Sequence, residues 1–321
     1  MSLIEQAAKR LEQLRKAGVE VQSPAPAGDQ QPANASMEPR AQTAAGSPVH
    51  RPKAVSVATV AASAAPAVSR QVDLDLAAIA AAGLITPDVP RSQIADQYRV
   101  IKRPLIANAM GKGSSPIKHG NLIMVTSAVS GEGKSFTAIN LAMSIAMELD
   151  NTVMLVDADV PKPSVLKMLG VPPERGLLDV LTNESVELSQ VLLRTNVEKL
   201  SLLPSGTQHA RATELLASAA MVQMLDEMAS RYPDRIIIFD SPPLLMTTES
   251  RVLASHMGQV VVVVKAESTV RSDVKHALAA IEACPVKLVL LNQARTTTQD
   301  GYGYGYGYGY GYGYGYGSKS A

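Results

Sequence analysis

Lys134 and Ser135 follow the short run Gly131-Glu132-Gly133, and residues of these types in this order can bind phosphate. Glycines let backbone N–H groups close around phosphate oxygens, and a helix starting at the lysine adds the partial positive charge of its N-terminus. In such a loop the lysine reaches the β- and γ-phosphates and the serine hydroxyl turns towards Mg²⁺. Ser130, Gly131, Glu132, Gly133, Lys134, Ser135 and Phe136 are therefore the candidate nucleotide-binding residues. The run departs from the full glycine-rich pattern at one place, Ala128, where a glycine is usual. The plain alternative is a glycine turn joining a strand to a helix.

Two further apolar runs end in acids. Met154-Leu155-Val156 leads into Asp157-Ala158-Asp159, and Ile236-Ile237-Ile238-Phe239 leads into Asp240-Ser241-Pro242-Pro243. Carboxylates at the ends of neighbouring strands would converge on a metal and a γ-phosphate. Asp240 reads as an acid that holds Mg²⁺ directly or through water. Asp157 and Asp159 could orient the metal, accept a hydroxyl proton, or only cap the next turn.

These residues need a scaffold that aligns strand ends. Six apolar runs have strand character, 122–126, 152–156, 200–203, 235–239, 259–264 and 287–291. Several are near-continuous Val, Ile and Leu, as in strands buried on both faces. Helical patterns lie between them at 134–149, 177–193, 213–230, near Leu253 and at 268–283. Strands alternating with helices predict an α/β fold, a P-loop NTPase domain with a mostly parallel sheet flanked by helices. Ligands of such sheets sit at the carboxyl ends of the strands.

The flanks differ in composition. Residues 1–18 predict a short amphipathic helix, with Ser2 and Glu5 as a capping box. Residues 19–72 form a Pro/Ala-rich linker; positions 23–72 hold seven prolines and fourteen alanines but no Leu, Ile, Phe or Tyr, too little apolar surface to offset ordering entropy. Residues 73–91 predict a short docking segment, and residues 92–110 a helix capped by Ser92. The P-loop unit is taken as 92–299 and the tail as 300–321. In that tail, Tyr302, Tyr304, Tyr306, Tyr308, Tyr310, Tyr312, Tyr314 and Tyr316 alternate with glycine, a pattern expected to be disordered and exposed.

The net charge of +1 argues against nucleic acid as a partner bound through bulk charge. The single cysteine, Cys284, excludes an internal disulfide. No run of eighteen or more apolar residues predicts a membrane-spanning helix. The expected location is cytoplasmic, with any membrane association through a partner. The five histidines show no metal-ligand spacing.

The set of motifs resembles the bacterial tyrosine kinases, P-loop proteins unrelated to eukaryotic-type kinases. That family carries a phosphate loop, an acidic motif after the next strand, an acid-x-proline strand end and a C-terminal tyrosine cluster, in the order found here. The opening residues and the stretch from Asp75 to Pro87 also resemble stand-alone kinases of exosortase-associated exopolysaccharide loci. The resemblance implies ATP and Mg²⁺ as cofactors and autophosphorylation in trans of the eight tail tyrosines, regulating exopolysaccharide biosynthesis and export. It makes Lys134, Asp157 and Asp159 catalytic, with Asp157 the base for the tyrosine hydroxyl. Ser135, Asp157 and Asp240 would serve the metal, and Asn292 would contact adenine.

Asp96, Arg99 and Lys102 match the family's oligomerisation helix with conservative changes, implying a homo-oligomer, a ring. Implied partners are a membrane polysaccharide co-polymerase or chain-length regulator as activator, at the inner membrane, and a cognate phosphotyrosine phosphatase.

The chain departs from the family at Pro161, where an arginine is usual, with Lys162 next to it. Ser130 stands where proline is common. Two other readings are open on the residues: a partitioning ATPase of the Min or Par type, and a nucleotide-binding adaptor with an interaction tail. The first expects a signature lysine five residues before Lys134, where this chain has Val129.

Overall fold

The computed structural model describes residues 70–294 apart from Ser114 and Pro233. The amphipathic segment 1–18, most of the linker and the whole tyrosine tail lie outside the described residues.

Eight strands form one sheet: β1 (Gln71–Val72), β2 (Leu122–Ser127), β3 (Thr152–Asp157), β4 (Leu193–Thr195), β5 (Leu200–Leu203), β6 (Arg235–Asp240), β7 (Gln259–Lys265) and β8 (Val286–Asn292). Their order across the sheet is β1-β4-β5-β3-β6-β2-β7-β8, and every neighbouring pair except β4 with β5 is parallel. All six strands expected from the apolar runs are present.

The central strands are apolar throughout because both faces are covered. Alternate residues point to opposite faces. Ile123, Val125, Val153, Leu155, Ile236 and Ile238 join one core, and Leu122, Met124, Met154, Val156, Ile237 and Phe239 the other. The first core is closed by α1 (Leu76–Ala81), α2 (Gln93–Ala109) and α3 (Lys134–Ala146), through Ile79, Tyr98, Leu105, Ile139 and Ile145. The short α4 (Val165–Met168) adds Val165 to this side. The second is closed by α5 (Leu177–Thr182), α6 (Leu188–Val191), α7 (Ala212–Leu216), α8 (Ala219–Arg231), α9 (Glu249–Ser255) and α10 (Arg271–Ala280).

Three sequence expectations are corrected. The pattern at 177–193 is not one helix but α5, α6 and the start of β4. Asn183 breaks it, because its Oδ1 accepts from the amide and hydroxyl of Ser185 and competes with helical hydrogen bonding. The pattern at 213–230 divides into α7 and α8, since Ser218 caps a new helix by accepting from the Met221 amide at 3.2 Å. Gln71 and Val72, placed in the linker by composition, pair in parallel with Arg194 and Thr195 as edge strand β1.

The docking segment is tied down by specific contacts. Asp75 caps α1, Leu74 exchanges hydrogen bonds with the Asn196 side chain, and Leu74, Ile79, Leu84 and Ile85 are buried. Ser92 caps α2 as expected. Gln259 anchors α2 to the sheet by donating to the carbonyls of Leu105 and Gly120.

Candidate active site

The sheet order places the candidate residues side by side. β6 lies between β3 and β2, so the end of β6 is flanked by the acids after β3 and by the loop after β2. Asp157 and Asp240 are register partners across β3 and β6. The loop after β6 is strapped to the phosphate-loop strand. Ser241 and Leu244 donate to the carbonyls of Val125 and Ser127, and Thr126 donates to the Pro242 carbonyl at 2.7 Å. Pro242 and Pro243 lack N–H groups, and the carbonyls of both are used as acceptors.

The loop of residues 128–133 turns on Gly131 and Gly133, both with positive φ, 86° and 93°. Gly133 is required twice, because a Cβ there would also strike the Asn292 side chain. Ala128 is buried without a positive φ, which is why alanine serves where glycine is usual. α3 starts at Lys134 with no side-chain cap, so its first amides are free to receive an anion. Phe136 contributes only its backbone there, since its ring packs against the first core.

Glu132 does something the sequence did not signal. Its side chain is buried, with Oε2 accepting from the Val129 amide at 2.8 Å. Oε1 accepts from the Thr269 hydroxyl and, at 3.4 Å, from the Lys265 amide. The carboxylate thus fixes the loop to the end of β7. Asn292 completes the brace by donating from Nδ2 to the Glu132 carbonyl at 2.8 Å, and its Oδ1 accepts from the Gln293 amide. Asn292 is therefore at the phosphate loop, with both ends of its amide engaged by the protein.

Lys134 Nζ lies 2.5 Å from Asp159 Oδ2, and both side chains are largely buried. Ser135 accepts a 2.8 Å hydrogen bond from the Ser164 hydroxyl, a second residue that no sequence signal marked. Asp157 does two things at once. Its Oδ2 accepts from the amides of Ser164 and Val165, each at 3.0 Å, and so caps α4, as the plain reading anticipated. Its Oδ1 is buried and, among the described residues, has no well-formed hydrogen bond.

Among the described residues both Asp240 oxygens are likewise buried without a well-formed hydrogen bond, with the Ser135 hydroxyl as a polar neighbour. Burial pushes the Asp240 carboxyl up to about 7, opposed first by the Lys134 charge. Burial also pushes Asp157 up to about 6, against the two capping amides.

Three orphaned carboxylate oxygens beside a serine hydroxyl are hard oxygen donors of the kind a small divalent cation takes. Among the described residues no group of three or more His, Cys, Asp or Glu could hold a metal alone. That suits a cation that keeps waters and substrate phosphates among its ligands.

The oligomerisation residues do not share one fate. Asp96 and Arg99 pair with each other on the exposed face of α2. Lys102 is buried, donating to the Ser144 carbonyl at 2.5 Å and pairing with Glu148 at 2.7 Å. It fastens α2 to α3 and is not on the exposed face. Lys162 is exposed, and its amide donates to Asp159. Cys284 is buried.

The family described as "AAA domain" matches residues 120–289. The tyrosine-protein kinase YwqD of Bacillus subtilis (strain 168) is 32% identical over 200 residues, covering 62% of this chain and 80% of that one. The chain is a bacterial tyrosine-protein kinase by family. Another relative of this kinase is the putative tyrosine-protein kinase CapB of Staphylococcus aureus, 28% identical over 194 residues, with 60% of this chain and 81% of CapB covered. The kinase spans only 22% of the longer putative tyrosine-protein kinase EpsB of Ralstonia nicotianae (strain ATCC BAA-1114 / GMI1000). The crystal structure of the chimerical protein CapA2B2 superposes with a TM-score of 0.57 at 28% identity, covering 71% of the kinase and 95% of that chain. No helix among the described residues is long and apolar enough to cross a membrane.

Proposed function

We propose that this kinase transfers the γ-phosphoryl group of ATP to the tyrosines at 302–316 on a second copy of itself, with Mg²⁺ held by Ser135 and Asp240 and the one uncommitted oxygen of Asp157 kept for the proton. The observation that carries this reading is the cluster of buried carboxylate oxygens without well-formed hydrogen bonds, at Asp157 and Asp240, with the phosphate-loop lysine close enough to act on Asp240. Mg²⁺ would supply charge stabilisation at the phosphates. The chain's own groups do the rest. The amides at the start of α3 and the Lys134 ammonium bind and orient the phosphates.

Tyrosine's pKa of about 10 requires a base as the new bond forms. Asp157 Oδ1 is the free oxygen for that proton. The phenol oxygen bonds to the γ-phosphorus, the bond to the ADP oxygen breaks, and the phenol proton passes to Asp157. The tail meets the geometric demand because eight acceptors on a glycine-rich segment can each be presented in turn.

The exposed Asp96 and Arg99 support a self-assembling reading of α2, without Lys102. Relatives named for polysaccharide work, such as the succinoglycan biosynthesis transport protein ExoP of Rhizobium meliloti (strain 1021), support regulation of exopolysaccharide export. A membrane co-polymerase as activator and a phosphotyrosine phosphatase as antagonist complete the proposal.

Mixing tests transfer between copies. A Lys134→Ala chain with its tail is incubated with ATP, Mg²⁺ and a tailless chain that keeps Lys134. Phosphotyrosine on the Lys134→Ala tail is expected by mass spectrometry. ATP turnover without any tyrosine phosphate would overturn the reading.

A further inference from the structure

A cavity of about 1100 Å³ opens directly beyond Asp157 and Ser164. Its walls are the segment from Leu166 to Arg175, following α4, and the loop of residues 205–208 after β5. Sheet order fixes its place. β5 and β3 lie on one side of β6, and β2, β7 and β8 lie on the other. The strands that carry the cavity and Asn292 therefore lie on opposite sides of β6, although the Asn292 side chain reaches back to the phosphate loop. A nucleotide with its phosphates in the phosphate loop and its base towards β8 would leave the cavity free for a second ligand, with Asp157 at the boundary.

The cavity is at or above the upper end of ordinary ligand pockets, about 300–1,000 Å³, and is larger than one phenol needs. Its walls are of two kinds. Leu166, Val171, Pro172 and Pro173 offer apolar surface for aromatic rings. Lys167 and Arg175 offer charge, and among the described residues neither side chain makes a hydrogen bond or ion pair. Glu174, between them in the wall, is already paired with Arg70 at 2.8 Å. The Asp157 end is thus acidic and the other wall carries Lys167 and Arg175, with Arg175 close enough to Asp179 to interact with its carboxylate.

The tail has a matching form. Tyrosine at every second position puts successive tyrosines of an extended strand on one face, about 6.6–6.8 Å apart. The intervening glycines carry no side chain to meet the opposite wall. Once one tyrosine is modified, it bears roughly −1.5 to −2 charges, and its neutral neighbour is the next acceptor.

We propose that the cavity holds an extended Tyr-Gly-Tyr stretch of a second copy's tail, with the unmodified tyrosine at Asp157 and a phosphotyrosine already made against Lys167 and Arg175. Each transfer then improves binding for the next, so modification advances along the tail once begun. This rests on the tail being the substrate, as proposed above.

The test uses the full chain with ADP and Mg²⁺, and two fluorescent Tyr-Gly repeat peptides, one carrying a single phosphotyrosine at one end. Charge-assisted hydrogen bonds to two cations should tighten binding of the phosphorylated peptide by about tenfold. The ratio of affinities is expected to fall to about one in Lys167→Gln/Arg175→Gln and to persist in Lys167→Arg/Arg175→Lys. Equal affinities in the unaltered chain, or a preference that survives the neutral double variant, would overturn the inference. A parallel incubation with ATP separates the two proposals. Tail phosphorylation with equal peptide affinities removes the priming site alone, whereas no tail phosphate removes the substrate reading and the priming site with it.

Discussion

Lys134 Nζ is held 2.5 Å from Asp159 Oδ2, so the lysine that should grip phosphate is occupied by a carboxylate of its own chain. A nucleotide must break this pair to recruit the lysine. Asp159→Asn removes the competitor, and ADP binding measured by calorimetry without Mg²⁺ should tighten about tenfold, or about 1.4 kcal/mol. Phosphoryl transfer should fall at the same time, since Asp159 no longer supports the site. Weaker ADP binding in this variant would show that the pair is not a competing state.

Asp157 and Asp240 should give stability and activity opposite pH dependences. Their folded pKa values, about 6 and about 7, lie above the ordinary carboxylate value, chiefly because of burial. Between about pH 4 and 7 the folded state then binds more protons than the unfolded state, so stability falls as pH rises through that window. Catalysis needs both groups ionised, so kcat/KM should fall as pH drops below about 6–7. Asp240→Asn should lessen the loss of thermal stability towards pH 7.5 and raise the nucleotide-free melting temperature there by about 2–4 °C. Its transfer rate should drop at least about a hundredfold, in the range of losing a major electrostatic contact. A melting temperature that is lowered at pH 7.5 would contradict the burial argument.

Glu132 braces the phosphate loop through its side chain. Glu132→Ala leaves the amides of Val129 and Lys265 and the Thr269 hydroxyl without their acceptor, which should cost about 1–3 kcal/mol of stability. Nucleotide affinity should fall with it, because the loop is no longer held in its binding shape. Thr269→Val should move both measurements in the same direction by less. Thermal melts with and without ADP check the pair.

Lys102 and Arg99 separate stability from assembly on one helix. Lys102→Ala leaves the Ser144 carbonyl without its donor and Glu148 with only the exposed Arg103 at 3.5 Å, and should destabilise the fold by about 1–3 kcal/mol. Arg99→Ala, on the exposed face, should cost under about 1 kcal/mol yet shift the assembly state in sedimentation. Lys102→Ala assembling normally at low temperature, and Arg99→Ala failing to assemble, is the expected pattern.

The sequence by itself determined six of the eight strands described, the phosphate loop, the three acids and the likeness to the kinase family. Each is encoded locally: strands buried on both faces must be apolar, and only Gly133 fits its backbone and its neighbour. The short edge strands β1 and β4 were not legible, since two or three residues carry no periodic signal and exist only through pairing. The breaks at Asn183 and Ser218 were hidden because apolar spacing continued across them while local polar caps ended the helices. Only the tertiary structure decided that Glu132 turns inward, that Lys102 is buried and that Asp157 caps α4 with one oxygen while leaving the other free. Those roles depend on what a side chain meets from distant parts of the chain. The strand order β5-β3-β6-β2-β7-β8 brings those parts together, and no local pattern records it.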